Sequence, residues 1–168
     1  KIKRTRYEIK RPKLMQINKL IDYGSSQLKD KKIPSHKLDS EILLSKVLRK
    51  TREELLINSE NKISSKKISQ FNKLLKRREK REPIAYILKE KEFWSKKFFV
   101  NKKVLIPRPE TELLVEQIIK IFQSKSSINI LDIGTGTGCI LLSILSELKD
   151  SKGIGVDISK DALKIAKC

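Results

Sequence analysis

The chain has 168 residues, 38% of them apolar, and carries a formal net charge of +19 at pH 7. That apolar content supports a packed core and excludes an intrinsically disordered chain, and no apolar run approaches the roughly 18 residues that span a bilayer, so no membrane partner is expected. The N-terminus lacks the basic, apolar, small-residue order of a secretion signal. The only cysteines, Cys139 and Cys168, do not make a disulfide framework, so a cytoplasmic location is expected.

The charge has two readings. It can attract RNA or a ribosome electrostatically, or it can be a compositional bias that puts solvated Lys on every helix face. Lys is spread along the chain with few aromatic residues among it, which favours the second reading. Residues 1–14 differ, with seven basic residues against one acidic, and are expected to form a basic flexible arm. Met15 opens the first patterned segment and is a candidate initiator, which would make the arm an extension.

From Met15 the pattern is helical. Ile17, Leu20, Ile21 and Leu28 fall at helical spacing. A second helix is expected over 35–50, capped by Ser35, with Leu38, Ile42, Leu43, Val47 and Leu48 as its apolar stripe. Thr51-Arg52-Glu53-Glu54 reads as a capping box opening a short third helix. Ser64 or Ser65 caps a fourth, with Ile68, Phe71, Leu74 and Leu75 inside and a basic end that suits the negative pole of a helix dipole. Residues 15–82 are therefore expected to form a small helical bundle. Pro83 stops the pattern. Between Ile84 and Val104 the residues turn aromatic and branched, so residues 83–109 read as a β-hairpin connector. Pro107 and Pro109 interrupt it, and Pro109 suits the first turn of a helix over 110–122.

Residues 110–168 alternate helix and strand: a strand over 128–133, a helix over 138–148, a strand over 153–158 and a helix from Ser159 or Asp161. Such alternation implies a parallel, doubly wound sheet. Two strands do not complete one, so the sequence is expected to be a fragment.

The strand over 128–133 runs into Asp132-Ile133-Gly134-Thr135-Gly136-Thr137-Gly138 and then a helix, the context of a nucleotide loop. The spacing is not that of a dinucleotide loop, because position 139 is Cys, and no Gly-Lys-Ser/Thr follows to make a P-loop. Asp132 would repel a pyrophosphate, but it suits a ligand that carries a sulfonium and an ammonium, such as S-adenosyl-L-methionine. Asp157, nineteen residues after Gly138 at the end of the next strand, is placed to accept hydrogen bonds from ribose hydroxyls. The cofactor-binding set is thus Asp132, Gly134, Thr135, Gly136, Thr137, Gly138 and Asp157. No cysteine–histidine spacing suggests a metal site. His36, the single histidine, reads as a surface residue, Trp94 as core packing and Cys139 as a small buried residue.

Asp132 to Gly138 resembles the first motif of class I methyltransferases. The runs Glu82-Pro83-Ile84-Ala85-Tyr86, Glu92-Phe93-Trp94-Ser95, Leu105 to Glu112 and Asp39-Ser40-Glu41-Ile42-Leu43-Leu44 resemble the HemK/PrmC family specifically, and the resemblance runs from about Met15 to Cys168. It implies an α/β protein: a small N-terminal helical bundle that docks the substrate, then the first half of a doubly wound, Rossmann-like class I methyltransferase domain, truncated. It also implies the activity, transfer of a methyl group from S-adenosyl-L-methionine to the glutamine side-chain nitrogen of the Gly-Gly-Gln motif in a peptide chain release factor. Pro107, Arg108 and Pro109 would lie near the active-site mouth, although Arg108 is equally well read as an ion-pair partner of Glu110 or Glu112. Many relatives have Gly shortly after Pro-Ile-Ala-Tyr, whereas here Leu88-Lys89-Glu90 stands there, which points to an altered turn. The family's Asn-Pro-Pro-Tyr motif, whose groups orient the acceptor amide, does not occur in these residues. No catalytic residue is therefore assigned within this chain, and the chain alone is expected to be inactive. Two other readings stand beside this one: a nucleic-acid methyltransferase acting on adenine amino groups or RNA, and an inactive truncated remnant.

Overall fold

A computed structural model describes residues 14–125 and 127–167. The expected basic arm, apart from an exposed Leu14, lies outside the described residues, as does Cys168. The chain divides into two compact units, residues 1–84 and 85–168. No helix among the described residues is long and apolar enough to cross a membrane.

The first unit is built from β1 (Met15–Gln16), α1 (Ile17–Asp30), α2 (His36–Leu48), α3 (Arg52–Ile57), β2 (Lys62–Ile63) and α4 (Ser65–Glu79). β1 pairs antiparallel with β2, Met15 opposite Ile63. Strands this short leave no periodicity in the sequence. Leu20, Leu28, Leu43, Leu44, Leu55, Phe71 and Leu75 form fully buried parts of the core. The helices come into close contact at Gly24, where an added Cβ would lie 2.5 Å from Ser40 Oγ and 2.6 Å from the Phe71 ring. Only glycine lets α1 lie against α2 and α4 at that distance.

The stripe expected on α2 needs correction. Leu38 is exposed, while Asp39, Ser40 and Glu41 are buried beside Leu43, Leu44 and Val47. Burying polar groups is costly unless they are hydrogen-bonded, and here each is. Ser40 donates to the Ile21 carbonyl at 2.8 Å. Asp39 accepts from Ser35 Oγ at 2.8 Å and Arg78 Nε at 2.7 Å. Glu41 accepts from Arg52 at 2.6 and 2.9 Å. Ser35 and Ser64 do precede their helices, but neither side chain caps the backbone. The Thr51 box forms in full: Glu54 N–H donates to Thr51 Oγ1 at 3.2 Å and Thr51 N–H to Glu54 Oε2 at 2.7 Å.

The chain from Ile84 is not the strand expected. α5 (Ile84–Leu88) is a short helix across the unit boundary, with Pro83 immediately before it, where its fixed φ and missing N–H are tolerated. Lys89, at a left-handed φ of 62°, ends it. The expected hairpin follows as β3 (Glu90–Phe93) and β4 (Lys96–Phe99), antiparallel, joined by Trp94 and Ser95, both at positive φ. That two-residue loop matches the twist of the strands, and Phe93 meets Phe98 edge to face with centroids 6.2 Å apart. Pro109–Thr111 makes one 3-10 turn that leads into α6 (Glu112–Phe122).

The remainder is β5 (Asn129–Ile133), α7 (Cys139–Glu147), β6 (Lys152–Val156) and α8 (Lys160–Ala166). β5 and β6 are parallel, in register from Asn129 opposite Lys152 to Ile133 opposite Val156. α7 packs on one face, with Leu141 and Leu145 over Gly153. On the other, Leu131, Ile133, Ile154 and Val156 are exposed.

Candidate functional site

The ends of β5 and β6 place Asp132 and Asp157 on either side of the loop 134–138. Gly134 N–H and Thr135 N–H both donate to the Val156 carbonyl, at 2.8 and 3.0 Å, so the loop continues the sheet before it turns. Gly134, Gly136 and Gly138 have φ of 80°, 56° and 77°. An L-residue in that region costs roughly 1–2 kcal/mol, and three such positions in five residues account for the glycine spacing. A Cβ added to Gly134 would meet nothing within 4 Å, and one on Gly136 only the Gly134 carbonyl at 3.9 Å. Open space therefore faces the backbone at both positions, and a ligand can approach it closely. Gly138 is the N-cap of α7.

The two threonines turn inward and are buried. Thr135 Oγ1 donates to Asp132 Oδ2 at 2.7 Å, bracing the loop against the strand it leaves. Asp132 Oδ1 has no hydrogen bond among the described residues, so one oxygen remains for a ligand. Thr135 lies over Gly155, where an added Cβ would come within 2.8 Å of its hydroxyl. Sequence reading did not single out Gly155, because the close approach comes from strand pairing rather than local pattern.

Asp157 is held by backbone donors. Its Oδ2 accepts from Gly136 N–H at 2.9 Å and its Oδ1 from Ser159 N–H at 2.8 Å. These two donors, Ser159 first, hold its carboxyl below the usual carboxylate range. Each oxygen keeps a further lone pair for a hydroxyl donor. Ser159 also caps α8, accepting from Ala162 N–H at 3.2 Å. Its service to Asp157 is the Asx-turn habit of an Asp two residues earlier, a signal present in Asp157-Ile158-Ser159 but weak alone. Cys139 is buried, and burial pushes its thiol above the ordinary cysteine value, which keeps it protonated and inert at neutral pH.

Asp132, Gly134 to Gly138 and Asp157 are thus brought together. Pro107, Arg108 and Pro109 are not joined to them by any hydrogen bond or ion pair among the described residues. Pro107 is buried, Arg108 and Pro109 are exposed, and Arg108 pairs with neither Glu110 nor Glu112. Glu112 instead accepts from Trp94 N–H at 2.8 Å. Trp94 packs partly buried against the Phe93–Phe98 cluster and donates its indole N–H to Glu147 at 2.9 Å. His36 hydrogen-bonds Ser25 at 2.8 Å.

A parallel strand–glycine loop–helix–strand unit with an acid at each strand end opens a methyltransferase domain, and a methyltransferase domain model matches residues 124–168. The helical unit matches the PrmC N-terminal domain over residues 19–88. The two matches, a PrmC N-terminal domain followed by a methyltransferase domain, agree with the resemblance to the HemK/PrmC family seen in the sequence. It is 43% identical over 152 residues to a release factor glutamine methyltransferase of Buchnera aphidicola, covering 90% of this chain and 54% of that protein. It is 38% identical over 144 residues to the release factor glutamine methyltransferase of Caulobacter vibrioides, covering 86% and 50%. Against a bifunctional methyltransferase of Rickettsia typhi it is 40% identical over 169 residues, covering 90% and 33%. The chain spans about half the length of the first two relatives.

Proposed function

We propose that this chain supplies the substrate-docking and cofactor-binding part of an S-adenosyl-L-methionine-dependent enzyme that methylates the glutamine side-chain nitrogen of the Gly-Gly-Gln motif in a peptide chain release factor, in the cytoplasm. The carrying observation is the open glycine loop between two carboxylates. Open space at Gly134 and Gly136 admits a ligand edge, Asp132 offers one oxygen to a cationic group, and Asp157 offers lone pairs to vicinal ribose hydroxyls. That pair of carboxylate acceptors suits a sulfonium nucleoside and opposes a phosphate. When bound, the cofactor supplies a methyl group activated by positive sulfur. The chain's own part is positional. The loop and Asp157 fix the sugar, and the brace from Thr135 to Asp132 keeps the loop from collapsing into the space the ligand needs. An amide nitrogen is a weak nucleophile because its lone pair is delocalised, so alignment is most of what such a catalyst contributes. No residue here is assigned to hold the acceptor amide. Residues 15–82 are read as the docking domain for the release factor, in keeping with the name of the first two relatives.

Calorimetric titration of the complete protein with S-adenosyl-L-methionine tests the site. Asp157→Ala is expected to weaken binding by about 1–3 kcal/mol, the range for removing a charged hydrogen-bond partner. Gly136→Val is expected to abolish it through steric overlap and left-handed strain. Unchanged affinity in both variants removes the loop from the site. Mass spectrometry of a release factor after reaction tests the substrate, and methyl transfer to RNA alone would overturn that assignment.

A further inference from the structure

The charge that looks evenly scattered in sequence is unevenly placed on the helical unit. Residues 15–84 hold 18 basic and 9 acidic side chains. Three of those acids, Asp39, Glu41 and Glu82, form ion pairs with Arg78, Arg52 and Arg77. Against the C-terminal end of α2, α4 forms a groove of about 400 Å³ lined by Lys46, Arg49, Lys67, Gln70 and Lys73 over a floor of Val47 and Leu74, with no carboxylate. The groove is built rather than fortuitous. Lys67 Nζ donates to the Val47 carbonyl at 2.6 Å, tying α4 to the end of α2, and Arg49 leaves that helix with a left-handed φ of 57°. Lys73 also lines an adjoining concavity with Ser65, Ser69, Asn72 and Lys76, again without an acid.

We propose that this double groove docks the phosphodiester backbone of structured RNA. The lysines and Arg49 match phosphates, and the Ser hydroxyls and Asn and Gln amides match phosphate and sugar oxygens. Ser69 to Lys76 runs about 10 Å along α4, enough for consecutive phosphates. No aromatic side chain lines either concavity, so bases have nothing to stack on, and recognition is by backbone and 2′-hydroxyl rather than by sequence. The site is independent of the glycine loop and of the reading given to it.

Fluorescence anisotropy of the whole chain with a labelled RNA duplex tests the groove. Arg49→Glu with Lys73→Glu is expected to weaken binding at least tenfold and to lower the slope of log affinity against log salt by about 2. The control pair Lys120→Glu with Lys149→Glu, both exposed in the other unit, makes the same charge change and is expected to cost less than threefold. Equal losses from the two pairs would reduce the effect to net charge and overturn the proposal. Equally tight binding of a DNA duplex of the same sequence, or of polyglutamate, would overturn it as a site for RNA. If circular dichroism shows that the Glu pair unfolds, Arg49→Gln with Lys73→Gln decides, with at least a threefold loss expected and no loss overturning the groove. Cofactor titration of the same variants stays unchanged, so failure here is separable from failure of the methyltransferase reading.

Discussion

The two units solve the problem of burying a core in opposite ways. The helical unit closes on itself: α1, α2 and α4 meet at Gly24, and even its buried acids find partners inside the same unit. The second unit carries a two-stranded parallel sheet whose apolar outer face, from Leu131 to Val156, is exposed. Its glycine loop sits at the end of that sheet and takes its shape from it. Stability and chemistry are therefore divided between the units, and a change in one should leave the other's readout intact.

The largest expected effect tests that division directly. Phe71→Ala empties the centre of the helical core and should cost it about 3–5 kcal/mol in a denaturant titration, with calorimetric cofactor affinity of the complete protein unchanged. Parallel loss of affinity would show that the units are coupled. Next, acid should loosen the second unit through Asp157. Its carboxyl is held below the usual range, so its contribution is present at neutral pH and is lost as pH falls through its lowered value. Thermal melts across that range should show the second unit's transition falling less in Asp157→Asn than in the parent. Equal falls would mean that the two N–H donors do not stabilise the loop. A smaller change is expected in the helical unit, where Thr51→Ala removes the capping box and should lower stability by about 1 kcal/mol. The smallest sharpens the turn between α5 and β3. Lys89→Gly relieves a left-handed residue and should raise stability by up to about 1 kcal/mol, net of the added chain entropy. A decrease would show that Lys89 makes a contact outweighing its strain.

Legibility in the sequence followed the range of the interactions. The capping box at Thr51, the hairpin around Trp94-Ser95 and the order strand, glycine loop, helix, acid are written in a few adjacent residues. The altered turn expected at Leu88-Lys89-Glu90 is seen as Lys89 adopting the backbone that glycine would favour. What escaped depends on partners far along the chain. Asp39 and Glu41 look like solvated positions until Arg78 and Arg52 arrive, and their burial displaces Leu38 from the stripe. The aromatic Ile84-Ala85-Tyr86 run suggests a strand, but Tyr86 Oη donates to the Val104 carbonyl at 2.7 Å and the segment coils into α5. Gly155 gains its meaning only once β6 is paired and Thr135 folds over it.

The Val156 carbonyl, accepting from both Gly134 and Thr135, makes the loop a check on strand alignment. A one-residue slip of β6 would turn every side chain of that strand to the opposite face. It would offer the loop a different carbonyl and carry Asp157 away from Gly136. A mispaired chain could then not close the loop, so the site proposed for the nucleoside exists only on correctly aligned strands.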